Sequence, residues 1–389
     1  MLHLPIPRSH LAELHDVIRG PYRARSRCAV MSSDHRVLVE SSSWLVDGQV
    51  ELDVTAAVTR SAAVTLLDPD GRAGLDSDAP LDGSISLDRF IQLRRDIWLP
   101  AAQSWASIPL FTGPVSGVNR SGPTISVEAQ GKELLALQPA WLPATWKAGT
   151  KRVDVIEDLM RRRAGEFAFN LPSGWGARLG RDWSVVRRIG DENHTVWARA
   201  QAQARVMGAQ LFYDARGVLR IRKMPVKPLW HVDASDLADA PTVAQRSSDI
   251  VNTVIFTGGT PKGGKTPLVV ERSLDDLPGS HPWSPSRLGR RGVGRRIPEE
   301  IEDSSVVTKK AAIAAAERQL KTHERGSVEM SATMLPVHFL EPYDLLTVDV
   351  AGTTVSTRLH KATWPLGSDM MSFGYLRSYR PKTLTRGRR

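Results

Sequence analysis

Cysteine is almost absent. Cys28 stands alone in 389 residues, which excludes an intramolecular disulfide and any thiolate cluster for zinc or iron–sulfur. The chain therefore folds in a reducing compartment or needs no oxidation. Long apolar runs are missing as well. No stretch approaches the ~18 apolar residues of a membrane helix, and Met1 to Gly20 mixes apolar residues with His, Pro, Arg, Glu and Asp, unlike a secretory signal. Aromatics reach only 6%, yet eleven tryptophans outnumber five tyrosines. Trp141, Trp146, Trp175 and Trp183 gather around the middle of the chain, where a large rigid ring serves an interface or a core equally well.

What is present is ordinary globular material. Hydrophobic residues at 41% and charged residues at 24% exclude disorder, collagen and coiled coil as descriptions of the whole. The length predicts two to four domains at ~100–200 residues each. Of the net charge of +10, six come from the acid-free stretch Met371 to Arg389 and five from Arg287 to Arg296, so the remainder sums to −1. A groove-reading nucleic-acid protein spreads basic residues along a helix or sheet face. Here they sit in one loop and one tail, which fits solvated segments or contact with an acidic partner protein.

The first 140 residues read as about eight short strands, at His35–Glu40, Gln49–Val54, Ala62–Leu67, Ser84–Leu87, Asp96–Leu99, Ser107–Thr112, Pro114–Asn119 and Thr124–Ala129. Asp47-Gly48 and Asp68 to Gly71 supply turn chemistry between them. Such spacing predicts a barrel or sandwich, closed by a short helix at Gly131–Leu137. From Lys151 the period becomes helical: Val155, Ile156, Leu159 and Met160 share a face, with Arg161 to Arg163 at the favourable C-terminal end. A second helix around Trp197–Met207, entered through Asp191 to Asn193 and ended by Gly208, leads into a hairpin of Gln210–Tyr213 and Val218–Lys223. A strand at Ile250–Phe256 precedes a Gly/Pro/Ser/Arg-rich stretch, Gly258 to Pro298, read as long loops. Ser305 then caps a helix over Val306–Leu320. Strands resume at Val328–Met334, Leu345–Val350, Thr353–Trp364 and Met371–Tyr379, with Ala351-Gly352 as a hairpin turn. The expected class is mixed β and α+β, with two β-barrel tube-like domains flanking a small α+β middle unit and a long loop region. The expected boundaries are 1–145 for the first barrel with its N-terminal segment and 150–235 for the middle domain. The return strand, loop and helix occupy 236–326, the second barrel 327–380 (with strand 250–257), and a basic flexible tail 381–389.

Gly259 to Thr266 matches the phosphate-cradling G-x-x-x-x-G-K-[ST] pattern after a strand, with Lys265 suited to phosphate and Thr266 to magnesium. The pattern needs a helix to begin there, and Pro267 followed by Val269-Val270 argues against one. A Gly/Lys-rich hairpin loop explains the same letters. The ten histidines show no metal-ligand spacing and read as surface or interface residues. Cys28 lies in a polar stretch without a nucleophile signature, and the paired acids Asp275-Asp276 and Glu299-Glu300 read as solvated loop charge. No catalytic, cofactor-binding or metal-binding residue is assigned.

The order of these elements resembles the tail hub proteins of long-tailed bacteriophages. The likeness rests on Ser116–Leu137, Ser247–Gly258, His281 to Pro285 with Leu288 to Arg291, Thr308–Leu320, Leu335–Val348 and Leu359–Gly367. It spans roughly 35–380, and Pro342-Tyr343-Asp344 stands where family members often have Pro-Gly-Asp. The resemblance implies a non-enzymatic structural protein of the virion tail tip, assembled in the host cytoplasm without cofactors or membrane insertion. It implies a homotrimer whose two barrels per chain match a six-fold tail tube. The partners it implies are a distal tail or tail tube protein, the tape-measure protein and tail fibre or spike proteins, with no specific nucleic-acid binding. Longer relatives append a lytic domain after the second barrel; no cell-wall hydrolase activity is expected here. The alternatives that remain are a nucleotide-binding enzyme using Gly259–Thr266, and a nucleic-acid-binding protein using Arg287–Arg296 and the basic tail.

Overall fold

The computed structural model describes residues 8–67, 85–87, 89–137, 144–172, 174–185, 195–245, 250–279, 281, 283–288, 295–323, 328–350, 352–367 and 371–377. The chain opens with helix α1 (Arg8–Val17), followed by β1 (Ala24–Met31), β2 (Val37–Ser41), β3 (Leu45–Asp53), β4 (Arg60–Leu67), β5 (Phe90–Leu99), β6 (Ser104–Ser121), β7 (Thr124–Gln130) and the short helix α2 (Glu133–Ala136). β4 shows the simplest logic: Arg60, Ala62, Val64 and Leu66 are buried while their neighbours face outward, the period-two alternation of a half-buried strand. β6 is one strand where the sequence suggests two. Neither Pro109, which sits at a register shift against β5, nor Gly113-Pro114, which pairs in register with Ile91 and Phe90, breaks it. Leu93 faces Phe111 and Arg94 faces Pro109, which leaves Leu110 as the extra residue of a bulge. Gly113 is required by close approach, since a Cβ there would lie 2.0 Å from the carbonyl oxygen of Gln130.

The middle segment contains β8 (Ala144–Trp146), α3 (Arg152–Ala164), β9 (Phe169–Asn170), β10 (Trp183–Val185), α4 (Val196–Val206), β11 (Ala209–Tyr213) and β12 (Leu219–Lys223). The expected α3 face, Val155, Ile156, Leu159 and Met160, is fully buried, and Gly165 ends the helix in the left-handed region. Thr195 caps α4 by accepting from the Ala198 amide at 3.1 Å; the expected entry at Asp191 to Asn193 lies outside the described residues. Trp146 stacks on Trp183 and Trp197 on Tyr213, so these tryptophans serve the core of this unit; Trp141 lies outside the described residues.

Two strands, β13 (Trp230–Val232) and β14 (Thr242–Gln245), then join the large sheet beside C-terminal strands. Next come β15 (Thr253–Gly258), β16 (Val269–Ser273), a 3₁₀ turn at Leu274–Asp276, α5 (Pro285–Leu288), β17 (Pro298–Asp303) and α6 (Lys309–His323). The stretch read as loop thus supplies strands to a separate three-stranded sheet, β16-β15-β17, covered by α6 with its own apolar core. β17 (PEEIED) shows no apolar period because Ile301 is its one inward-packing apolar residue; Glu299 faces α6, Glu300 and Glu302 are exposed, and Asp303 is buried. The return strand belongs to this small sheet and not to the C-terminal β region. Ser305 does not cap α6. The helix begins at Lys309, and Thr308 Oγ1 accepts from the Ala311 amide.

β18 (Val328–Met334), β19 (Leu345–Val350), β20 (Thr353–Pro365) and β21 (Met371–Arg377) complete the fold. β19 and β20 form the expected hairpin, with Gly352 at φ 76°. The two β regions are continuous. β20 pairs with β3, Lys361 opposite Asp53 and Trp364 opposite Val50, giving one 13-stranded sheet in the order β14-β18-β21-β20-β3-β4-β7-β6-β5-β1-β2, with β19 joined to β20 and β13 to β19. A single apolar cluster runs from Leu14 to Phe373 beneath it, and Trp364, 1% exposed, anchors it by donating to the Val337 carbonyl. Among the described residues the strands form this path and no closed ring. Three further expectations change. β1 is an interior strand, although Arg25 and Arg27 make it look like a surface stretch. Both arginines bond the buried Asp96 carboxylate from the exposed side. Asp47-Gly48 lies inside β3, and the bend between β2 and β3 falls at Ser42–Trp44 instead. Residues 85–87 are not a strand.

Candidate functional site

The feature that binds the units together is a buried charged junction. The Asp214 to Gly217 turn between β11 and β12 projects from the middle unit onto the large sheet. Thr112 Oγ1 on β6 donates to the Ala215 carbonyl at 3.0 Å, and the Ala215 amide donates to Glu341 Oε1 at 3.1 Å. Glu341 in turn pairs with Arg60 of β4 at 2.5 Å, and the Arg60 guanidinium also donates to the carbonyls of Leu110 and Leu340. Beside it, Lys132 Nζ lies 2.6 Å from a Glu166 oxygen and donates to the Gly217 carbonyl at 3.2 Å. Asp214 accepts from the amides of Arg216 and Val218 and from Arg220, which holds the turn in shape. Asp344 pairs with Arg222 at 2.8 Å and accepts from the Glu341 amide. Residues from both β regions and from the middle unit therefore meet in one network.

Burial dominates the electrostatics here. It pushes the Glu133 carboxyl up to about 7 against the Thr59 hydrogen bond and the Arg60 charge. It also raises Glu341 and Asp344 despite their arginine partners, and lowers Lys132 despite Glu166. The carboxylates of the network, Glu133, Glu166, Asp214, Glu341 and Asp344, are all buried. Its chemistry is positional: paired charges in a dry junction fix one docking geometry.

A second joint links the middle unit to the small sheet. Arg152 of α3, 3% exposed, donates to Gln203, Asp303 and Ser305, at 2.6, 3.2 and 2.7 Å. Burial pulls its guanidinium below the usual arginine range, against the Asp303 charge. A pocket of about 280 Å³ opens beside it, lined among others by Arg178, Arg318, Val306 and Thr308.

The structure does not bring together the residues that the sequence singles out. Gly259 to Thr266 connects β15 to the antiparallel β16, so no helix starts where a phosphate cradle requires one, and Lys265 is exposed. Gly259 and its neighbour Gly258 answer to packing: a Cβ at Gly259 would lie 2.1 Å from the Ser304 carbonyl oxygen, and one at Gly258 would lie 2.4 Å from that of Val306. Arg287 is exposed at the end of α5, Arg296 pairs with Glu271, and the centre of that basic stretch lies outside the described residues, as does 378–389. Asp275 accepts from Ser286, and Asp276 caps the 3₁₀ turn through Ser273. Glu299 and Glu300 lie in β17, not in a loop. Glu299 accepts from Gln319 and bonds His323, and these contacts hold its carboxyl below the usual range against burial. Cys28 is core, and burial pushes its thiol up to about 12. Several histidines are core too, against the surface reading. His281 and His338 are buried, and burial lowers His338 to about 3. The junction itself carries no local signature, because bonded partners such as Arg60 and Glu341 lie 281 positions apart.

No protein-family model matches the sequence, and no curated protein matches it. Solved structures of tail proteins share the fold. The tail protein from Neisseria meningitidis MC58 has a TM-score of 0.59 at 12% identity, covering 92% of this chain and 97% of its own. The 43 kDa tail protein of prophage MuSo2 from Shewanella oneidensis has a TM-score of 0.58 at 12% identity, covering 91% and 98%. Prophage tail protein gp18 from Listeria monocytogenes EGD-e has a TM-score of 0.51 at 10% identity, covering 92% and 95%. At such identities the likeness establishes a common fold.

Proposed function

We propose that the chain is a structural hub at the distal end of a bacteriophage tail. The observation that carries this reading is the extent of the fold likeness: it covers nine-tenths or more of both chains for three separate tail proteins. In this role the protein is a homotrimer. Each chain contributes two similar β regions, so three chains present six segments to a six-fold tail tube and a three-fold surface to a fibre or spike. The two regions are tube-like units sharing one sheet across β3 and β20, a seam suited to holding two segments at a fixed angle. The buried junction around Glu341 keeps the middle unit at a constant position outside them. Distal tail, tape-measure and fibre proteins are the partners of this reading. The host cytoplasm is its site of assembly, and the work is done by shape and interface rather than by catalysis. Electron microscopy of phage particles labelled with an antibody to this chain tests the proposal. Label at the distal tail tip is expected; label along the tail shaft or at the head overturns it.

A further inference from the structure

A cluster outside the junction has the chemistry of a metal site. His231 lies on β13, Asp233 just after it, and Asp349 on the neighbouring parallel strand β19. One donor atom from each lies within 4.8 Å of the other two. His231 Nε2 is 3.0 Å from Asp233 Oδ1 and 3.3 Å from Asp349 Oδ2. Ligand atoms around a tetrahedral ion with bonds of ~2.0–2.1 Å stand roughly 3.3 Å apart, so the spacing suits one.

The remaining atoms of the three side chains are tied elsewhere. His231 Nδ1 meets Thr347 Oγ1 at 2.9 Å, directly across the β13–β19 register. Asp233 Oδ2 pairs with Arg19 at 3.0 Å. Asp349 Oδ1 accepts from Thr354 Oγ1 at 2.6 Å. Each group is thus oriented by a partner on its far side and places one donor atom near those of the other two, as outer partners orient metal ligands. Charge points the same way. With the imidazole neutral, Asp233, Asp236 and Asp349 carry three negative charges, and Arg19 is the one permanent cation among their described ion pairs. The local excess of −2 is what a divalent ion neutralises.

We propose that His231, Asp233 and Asp349 bind a first-row divalent transition metal, of which zinc is the probe, with water completing the coordination. One nitrogen and two carboxylate oxygens favour such an ion over magnesium, which prefers an all-oxygen octahedron. The three side chains are half-buried or exposed, so the ion and its waters have access. The site goes beyond the hub reading and does not depend on it. Its effect is to clip the edge strand β13 and the Asp233–Asp236 turn onto the β19–β20 hairpin, joining chain segments 116 positions apart.

The test is calorimetric titration of the tag-free full-length chain with zinc chloride, alongside magnesium chloride, and of His231→Gln and Asp349→Asn. Melting in EDTA verifies that both variants are folded. One zinc per chain is expected with a Kd below about 100 μM, weakened at least tenfold by each substitution, and raising the melting temperature of the parent only. No zinc binding at 100 μM, or a loss below tenfold in either variant, overturns the proposal; the cluster is then a histidine bridging two carboxylates.

Discussion

Removing the Glu341 side chain isolates the contribution of the buried junction. In Glu341→Ala the Arg60 guanidinium, 4% exposed, keeps two backbone carbonyls but loses its counter-charge, and the Ala215 amide loses its acceptor. Deleting one partner of a buried ion pair costs about 3–5 kcal/mol, because the remaining charge stays desolvated. At roughly 2 °C per kcal/mol for a sizeable folding unit, the melting temperature falls by roughly 6–10 °C. Replacing both partners with apolar residues of similar volume, Arg60→Met with Glu341→Leu, removes the stranded charge and recovers most of the loss. Calorimetry measures the magnitude, and hydrogen exchange at Ala215 gives the location: protection there falls in the single variant before it falls in α3 or α4. A drop below about 2 °C, or unchanged protection at Ala215, refutes the claim that this pair docks the middle unit.

Other outcomes follow from single positions. Gly259→Ala lowers stability because its Cβ meets the Ser304 carbonyl, while Lys265→Ala at an exposed position leaves it within about 0.5 kcal/mol; urea melts of both verify the packing role of the loop. Trp364→Ala costs about 3–5 kcal/mol by emptying the core at the β3–β20 seam, read as a lower urea midpoint; a change under 1 kcal/mol contradicts the shared core. Glu133 has a folded pKa of about 7 against an ordinary 4.5, so the folded state binds the extra proton between those values. Its contribution is therefore most favourable at low pH and is lost as pH rises towards 7, by roughly 3 kcal/mol at full titration. Glu133→Gln removes this slope, so variant and parent differ more at pH 8 than at pH 5 in denaturant melts; a constant difference contradicts it.

Local order was legible wherever burial imposes a period. The α3 face, the α4–β11–β12 run with its Asp214 turn and the β19–β20 hairpin all follow from side chains a few residues apart. Elements failed where charge or punctuation masked the period. β1 carries arginines aimed at Asp96, β17 is mostly acidic, and β6 absorbs Gly113-Pro114 within a continuous strand. The junction and the His231 cluster were illegible for a different reason. Arg60 meets Glu341, and His231 meets Asp349, only because β20 returns to β3 and β19 lies beside β13. Spacing in the sequence holds no trace of such meetings. The phosphate-loop match shows the converse, since Gly259, demanded by close approach to a backbone carbonyl, happens to open a ligand motif.

The central claim is that this chain is the trimeric hub of a tail tip, and a cryo-electron microscopy map of an intact tail tip tests it most directly. The account predicts three copies around the tail axis, with the two β regions of each chain alternating in a six-segment ring that continues the tube. A map with one or six copies, or with the chain off the tube axis, contradicts it.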